Sequence, residues 1–410
     1  MIKKFKILYS YIILFCLLIF SLEYTSQFYM SIAKACRFFT AFIAIFFVIF
    51  GLYYWQYNKK NRTLNVYNIF YINIYLGILF HSIIILFSRD HKIFYLGIIL
   101  IYSQIISAFF FMNLEIKILE RFLKIMFPIS FIGILFVILS MGKIDINYAL
   151  KRGYQYKEIF YYAPLCWGSS AFLILSFLKN KNIVYALCYF SLNLLVNTII
   201  VKRLIFFESF VLFIVICLIS VFLKNRRKVF FKVVFICIIL FLIATILFKD
   251  KLLILIESIL TRLLESGKDL EHFNRNVESI TYFKTASILE IFLGKSFIGV
   301  HYGLGEESLA LHNGWGNFVL KGGVPLFLLA FIPIIKSIFL LLKVKKLSYK
   351  KQFCIFYLIY SFPMFFLSNT HSFIPRMFLF WYCCLNIMNK ENYSNERRKY
   401  GSKKIMDNFR

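Results

Sequence analysis

Long apolar runs recur along almost the whole chain, and they constrain its fold more than any other feature of the sequence. Each run covers roughly 18–20 residues, the length that a helix needs to cross the hydrocarbon core of a bilayer. Hydrophobic residues make up 61% of the chain, whereas a soluble domain is roughly 45–50% apolar. A single buried core would not need this repetition, so the pattern predicts an all-α integral membrane protein.

These runs predict about twelve membrane-spanning helices. They lie near residues 5–22, 38–57, 66–87, 93–112, 122–140, 159–178, 183–201, 204–223, 229–248, 316–342, 353–368 and 374–389. No small-residue cleavage site follows the first run, so we interpret it as a retained anchor rather than a signal peptide.

Basic residues give the chain a formal net charge of +29 and lie mostly in short loops between the apolar runs. More than half of them fall in the N-terminal segment, in every second loop after it and in the C-terminal tail. Short cytoplasmic loops of membrane proteins are enriched in lysine and arginine. We therefore expect a multi-pass membrane protein with both termini in the cytoplasm. The expected partner is the lipid bilayer and not nucleic acid, because no basic recognition module occurs.

This topology divides the chain into four parts. Residues 1–248 hold the first nine helices, residues 249–315 form a long outward-facing loop, residues 316–389 hold the last three helices, and residues 390–410 form a basic cytoplasmic tail. The long loop carries nine acidic and seven basic residues, so it escapes the basic bias of the chain. Loops of this length are usually functional or disordered, and its helical patterning favours a function.

His312 and Asn313 stand where the long loop re-enters the membrane, and Gly322–Gly323 follows about three turns further along the next helix. We expect the glycine pair to allow close packing below the histidine. Imidazole titrates near neutral pH, which suits a general base at the membrane–water boundary. The alternative is a loop histidine with a satisfied hydrogen bond.

Two arginines are the other candidates on the outward side. Lys202 and Arg203 interrupt a long apolar stretch, where charge is costly and tends to be functional; Glu208 is a candidate ion-pair partner for Arg203. Arg275 follows Asn274, a candidate N-cap, at the start of a predicted amphipathic helix. The alternatives are a snorkelling topological marker and a solvated helix-end charge.

The amphipathic helix is predicted from Val277 to Leu293, lying at the membrane surface. Its apolar positions recur at helical spacing, and they are Ile280, Phe283, Ile288, Ile291 and Phe292. An arginine near a helix N-terminus suits phosphate oxygens, because backbone N–H groups already favour anions there.

We expect no metal and no other cofactor. Gly294-Lys295-Ser296 is similar to part of a phosphate loop, but Leu289 occupies the position of the first glycine, so a Walker site is rejected. The histidines and the nine cysteines show no metal-ligand spacing.

The order of these signals resembles the O-antigen polymerase and O-antigen ligase family of bacterial envelope glycosyltransferases. The resemblance in layout covers most of the chain, and the resemblance in motif covers Lys202–Arg203 and then Arg275 to Pro325. It implies a GT-C-like fold in a bacterial inner membrane, with the long loop in the periplasm as a catalytic loop. It also implies a donor glycan carried on undecaprenyl pyrophosphate, and a flippase and a chain-length regulator as partner proteins.

The resemblance also implies roles for individual residues. Arg203 and Arg275 match the arginines that hold the pyrophosphate, and His312 matches the histidine that activates the acceptor hydroxyl. Supporting positions are Lys202, Asn313 and His301. The implied reaction is a metal-independent inverting glycosyl transfer.

Val201 and Lys202 precede Arg203, where ligases tend to carry threonine or serine just before the arginine. This difference favours a polymerase of surface-polysaccharide repeat units over a ligase that transfers glycan to the lipid A core. A lipid-linked oligosaccharide flippase is the alternative from another class. A transporter often shows two related halves, whereas the polarity here concentrates in one asymmetric loop, which favours an enzyme.

Overall fold

The computed structural model describes residues 66–90, 92–103, 115–141, 163–199, 204–223, 275–303, 306–308, 313–367 and 374–389, together with a few single or short stretches between them. These residues are helical apart from one short hairpin. The helices are α1 Val66–Phe87, α2 Lys92–Ser103, α3 Ile116–Met141, α4 Ala163–Lys179, α5 Ile183–Ile199, α6 Leu204–Phe222, α7 Arg275–Thr285, α8 Ile288–Leu293, α9 Gly314–Leu341, α10 Tyr349–Leu367 and α11 Ile374–Met388. The hairpin pairs β1 His301–Gly303 with β2 Glu306–Ser308 in antiparallel register, His301 opposite Ser308.

The helical prediction is confirmed wherever an apolar run falls on described residues, because each such run forms a helix. The runs near residues 5–22 and 38–57, and most of the run near 229–248, lie outside the described residues. Two of the described helices, α1 and α9, are long and apolar enough to cross a membrane. The number of twelve spans stays a prediction.

Aromatic side chains join the helices of the core. Trp315 of α9 lies against Phe365 of α10, with ring centroids 5.2 Å apart. Trp381 of α11 lies against Tyr71 of α1 at the same centroid distance. Large apolar side chains such as Phe339, which is 70% exposed, cover the outward faces of the helices. Soluble proteins rarely expose apolar surface on this scale, so the exposed faces favour a membrane setting.

The glycine pair Gly322–Gly323 breaks α9 into two parts. Gly322 has φ −135° and ψ 15°, and Gly323 has φ 65° and ψ −167°, neither of which is helical. The rings of Trp315 and Phe331 lie 5.7 Å apart, although a straight helix would separate residues 16 positions apart by roughly 24 Å along its axis. The first part of α9 therefore folds back along the second part. The glycine pair therefore ends the first part of α9 and does not continue an unbroken helix. Close packing at the pair is present, because an added Cβ on Gly323 would lie 2.0 Å from the Phe292 carbonyl oxygen.

The fold-back leaves a shorter second part of α9. From Val324 to Leu341 this part spans roughly 27 Å at 1.5 Å per residue, which still approaches the thickness of the hydrocarbon core. The first part, residues 314–323, is buried throughout. Its burial inside protein explains how a short helix with a non-helical end is accommodated among apolar helices.

The amphipathic segment forms two helices, α7 and α8, where the sequence predicts one. The helix is interrupted at Ser287 because this residue is the N-cap of α8. Its Oγ accepts a hydrogen bond from the Glu290 amide at 3.2 Å, and Glu290 Oε2 accepts one from the Ser287 amide at 2.9 Å. This reciprocal capping box was visible in the sequence as a serine followed three residues later by a glutamate. Leu289 and Leu293 of α8 are exposed, as expected for a surface-lying helix.

Gly323→Ala is expected to lower the free energy of unfolding by about 1–3 kcal/mol, because alanine is strained at this positive φ. An added Cβ would also lie 2.0 Å from the Phe292 carbonyl oxygen. The measurement is the melting temperature of the purified chain in detergent. Gly77→Ala in α1 is the matched control, since nothing lies within 4 Å of its added Cβ. Equal melting temperatures for the two variants would contradict the fold-back.

Candidate functional site

The loop that follows α8 docks against the break in α9, and we call residues 294–299 together with Leu320–Gly323 the loop dock. The Lys295 amide donates a hydrogen bond to the Leu320 carbonyl oxygen at 2.6 Å, and the Ser296 amide donates one to the Lys321 carbonyl oxygen at 3.2 Å. Helix ends leave carbonyl groups without intrahelical donors, and Pro325 has no N–H to offer the carbonyl four residues before it. The amides of Lys295 and Ser296 therefore replace the intrahelical hydrogen-bond donors that are lost at the break.

Lys321 makes the reciprocal contacts. Its side chain is 1% exposed, and its Nζ donates hydrogen bonds to the carbonyl oxygens of Phe297 at 2.9 Å and Gly299 at 3.1 Å. A buried ammonium group needs such partners, because desolvation without them is very costly. In the sequence this lysine is a charge within an apolar span. In the structure its ammonium group connects α9 to the loop through these two hydrogen bonds.

Phe297 fixes the loop dock to two further helices. Its amide donates a hydrogen bond to Ser82 Oγ of α1 at 3.0 Å. Its ring stacks on Tyr102 of α2, with centroids 5.2 Å apart, and lies 6.2 Å from the ring of Tyr75 of α1. The loop dock therefore joins α1, α2, α8 and α9 in one place.

A buried histidine and a buried carboxylate lie together beside the loop dock. His301 Nε2 of β1 is 3.4 Å from Glu278 Oε1 of α7, and the two residues are 2% and 3% exposed. The Tyr282 ring lies edge-on to the imidazole, with centroids 6.1 Å apart. The structure therefore places one carboxylate beside one imidazole in a position shielded from water.

Arg275 begins the helix that carries Glu278. Residues three apart lie next to each other on a helix surface, so Arg275 and Glu278 occupy neighbouring positions on α7. This spacing links a predicted site residue to the buried pair. His301, predicted as a supporting residue, thus contacts Glu278, which lies about one helical turn from the Arg275 position.

Lys295 and Tyr282 border this region. Lys295 Nζ lies 3.1 Å from Glu290 Oε1 and 6.0 Å from the centre of the Tyr282 ring. Burial, followed by the nearby charge of Glu290, raises the pKa of Tyr282 to about 12. Burial works against ionisation of Glu290, but the Ser287 amide and then Lys295 outweigh it and lower the pKa of that carboxyl. The amides of Lys295 and Ser296 donate to carbonyl oxygens of α9, and the rejection of a phosphate-binding loop stays a prediction.

Asn313 has a structural role. Its Oδ1 accepts hydrogen bonds from the amides of Trp315 at 2.9 Å and Gly316 at 3.4 Å, so it is the N-cap of α9. Two residues upstream, the Leu311 amide donates to Asn317 Oδ1 at 2.8 Å. The neighbours of His312 on both sides are therefore fixed to the first turn of α9.

Of the remaining predicted residues, only Arg275 lies among the described residues. Lys202, Arg203 and His312 lie outside the described residues, as does the candidate N-cap Asn274. Arg275 is described through its backbone alone, as the first residue of α7. The roles of these residues stay predictions.

Glu208, the candidate partner of Arg203, lies in a second buried polar cluster. It is 3% exposed in α6, and its carboxylate accepts hydrogen bonds from Ser170 Oγ of α4 at 2.7 Å and from the Tyr360 hydroxyl of α10. These hydroxyls account for its burial, and its pairing with Arg203 stays a prediction.

Sequence reasoning missed Glu278, Lys321 and Ser82. The signal for Lys321 was a lysine in an apolar run directly before a glycine pair, and the signal for Glu278 was its spacing of three from Arg275. No signal marked Ser82, because its contact with Phe297 joins residues far apart in the chain.

Among the residues that the structure describes, no group of three histidine, cysteine or acidic side chains is placed to hold a metal ion. Comparison with known proteins finds no matching family model, no matching curated protein and no matching solved structure.

Lys321→Met is expected to open the loop dock, because it leaves two buried carbonyl groups without their donor. The expected cost is about 1–3 kcal/mol. Hydrogen–deuterium exchange of the Lys295 and Ser296 amides measures the opening, and both amides should exchange faster. Lys343→Met, an exposed lysine just beyond the far end of α9, is the control. If the Lys295 and Ser296 amides exchanged at the wild-type rate in the Lys321 variant, Lys321 would not hold the loop against α9.

Proposed function

We propose that this chain is a membrane glycosyltransferase that polymerises oligosaccharide repeat units carried on undecaprenyl pyrophosphate. The observation that carries the proposal is the buried His301–Glu278 pair, 3.4 Å apart, on a polar segment that is fixed to a broken apolar helix and begins at Arg275. Such an arrangement would bring proton-transferring and phosphate-binding groups close to apolar surface, where a lipid-linked sugar would bind.

The proposed setting is a bacterial inner membrane, crossed about twelve times, with both termini in the cytoplasm and the long loop outside. The apolar length of α1 and α9 and the exposed apolar faces of the helices support it. Exposed leucines on α8 would lie in the interface between headgroups and acyl chains. In this setting the first part of α9 is a re-entrant segment, which membranes tolerate only where protein buries it.

The proposed chemistry needs two kinds of group. As the bond between the anomeric carbon and the pyrophosphate oxygen breaks, negative charge grows on the leaving group, and Arg203 and Arg275 would stabilise it. His312 would take the proton of the acceptor hydroxyl while the oxygen of that hydroxyl forms the new glycosidic bond. Attack opposite the leaving group inverts the anomeric centre, and the arginines supply the positive charge that a metal ion would otherwise bring.

The His301–Glu278 pair would support this chemistry from beside Arg275. The Glu278 carboxylate would orient the His301 imidazole, and the pair would relay a proton near the proposed pyrophosphate site. The residue before Arg203 favours a polymerase over a ligase, and both would use the same donor. A flippase and a chain-length regulator are the proposed partner proteins.

A transporter is the second candidate, and the broken α9 favours it. Transporters often bind substrate at helices interrupted by glycine or proline, and α9 carries Gly322–Gly323 and Pro325. A purified polymerase elongates lipid-linked repeat units in detergent, whereas a flippase makes no longer product there. Gel analysis of the glycan after incubation decides between them.

Alanine at Arg203, Arg275 or His312 is expected to abolish long surface glycan while the protein is still expressed in the membrane. The measurement is the polysaccharide ladder of cells that carry each variant in a deletion background. Arg89→Ala is the matched control, since Arg89 lies in the short loop after α1 on the same proposed side. Wild-type chain lengths in all three site variants would rule the assignment out. Loss of the ladder with one repeat retained indicates a polymerase, and accumulation of lipid-linked polymer indicates a ligase.

Glu278→Gln and His301→Gln are each expected to lower the elongation rate by at least about tenfold, and by less than the roughly 10²–10⁴-fold expected for removal of a general base. The reason is that the variants remove charge from the buried pair and leave its shape. The rate in detergent is measured together with the melting temperature. Glu290→Gln is the control acid on the neighbouring helix. Full activity in both variants would exclude the pair from the site.

A further inference from the structure

A basic cavity lies at the end of the bundle where α3 begins, α4 ends and α5 begins. Its volume is about 280 Å³. It is lined by Lys117, Glu120, Arg121, Lys124, Lys179 and Asn182. Four of these side chains are cationic and one is anionic, so the cavity has a strong positive potential and favours an anionic ligand.

The single carboxylate of the lining is already engaged. Glu120 forms an ion pair with Lys179, and the Lys179 ammonium also lies 5.3 Å from the centre of the Tyr349 ring. The remaining cations, Lys117, Arg121 and Lys124, are spaced four and three residues apart and so share one face of α3. Net positive charge is therefore left on that face.

Exposed apolar side chains continue this face of α3 away from the cavity. From Arg121, steps of four and three residues lead through Ile125, Pro128, Ile132 and Leu135, which is the repeat of one helix face. Ile125 is 55% exposed and Ile132 is 65% exposed. A basic cavity thus stands at the head of an apolar stripe about ten residues, or roughly 15 Å, long.

We propose that this cavity binds the headgroup of an anionic phospholipid whose acyl chains lie along the α3 stripe. The proposal rests on the membrane placement proposed above and is independent of glycosyl transfer. The cavity is smaller than the roughly 300–1,000 Å³ of sites for drug-sized ligands, which suits a compact phosphate-bearing headgroup. Basic pockets between helices on the cytoplasmic side are a known way to bind such lipids.

The orientation rule for basic residues does not by itself account for the cavity. That rule places lysine and arginine in loops and near helix ends, but it does not require that three cations of one helix face meet Lys179 at a single cavity. Free phosphate would use the same cations, but it would make no use of the apolar stripe. The combination of charge and stripe therefore favours a lipid.

The test uses the full-length chain, purified in a neutral detergent, with phosphatidylglycerol as the probe. Native mass spectrometry and the melting temperature report binding. The comparison probes are phosphatidylcholine, which has the chains without net charge, and glycerol 3-phosphate, which has the charge without chains. Phosphatidylglycerol is expected to bind and to raise the melting temperature, and neither comparison probe is expected to match it.

The binding variant is Arg121→Ala/Lys124→Ala, which spares the Glu120–Lys179 ion pair. Its affinity for phosphatidylglycerol is expected to fall at least about tenfold, a loss of roughly 1.4 kcal/mol. The control Lys345→Ala/Lys346→Ala removes the same charge from two exposed lysines between α9 and α10 and should bind normally.

Three outcomes would overturn the proposal. They are equal loss in both double variants, equal binding of phosphatidylcholine, and equal stabilisation by glycerol 3-phosphate, which would identify a soluble phosphate site instead. Because lipid binding is read without any glycan substrate, a failure of the proposed enzyme activity leaves this result interpretable. Conversely, an active enzyme that binds no lipid at this cavity would refute this inference alone.

Discussion

A helix broken inside its length leaves carbonyl oxygens without amide donors, and most of the candidate site depends on how this chain supplies them. The amides of Lys295 and Ser296 donate to the carbonyl oxygens left by the break in α9, and Lys321 donates in return to two carbonyl oxygens of the loop. Because helix and loop satisfy each other, neither is stable in this form alone. The fold-back of α9 and the position of the loop therefore depend on each other.

The loop dock determines where the polar side chains lie. It fixes Phe297 against α1 and α2, and the chain then enters β1, where His301 contacts Glu278 of α7. The start of α9 is held separately by Asn313 and Asn317. The opposite end of the bundle carries the basic cavity between α3, α4 and α5. The two ends thus differ in chemistry. One carries the buried His301–Glu278 pair, and the other carries the four cations of the cavity.

Most of the helices could be predicted from the sequence, because a run of apolar residues can satisfy its backbone only as a helix when water is absent. The polar segment with Arg275, His301 and Asn313 was also visible, since its composition departs from the rest of the chain. The break in α9 was not, because a glycine pair is equally compatible with close helix packing and with a turn. The division of α7 from α8 lay within reach, since the Ser287–Glu290 capping box is a local signal.

The sequence by itself determined the helical class, the apolar surface and the separation of one polar segment from the helices around it. These properties follow from local composition and periodicity, which act over neighbouring residues. Only the tertiary structure decided that Lys321 connects α9 to the loop, that His301 pairs with Glu278, and that four cations from α3 and α4 line one cavity. Each of these contacts joins residues that lie apart in the chain, so their geometry depends on how the helices pack.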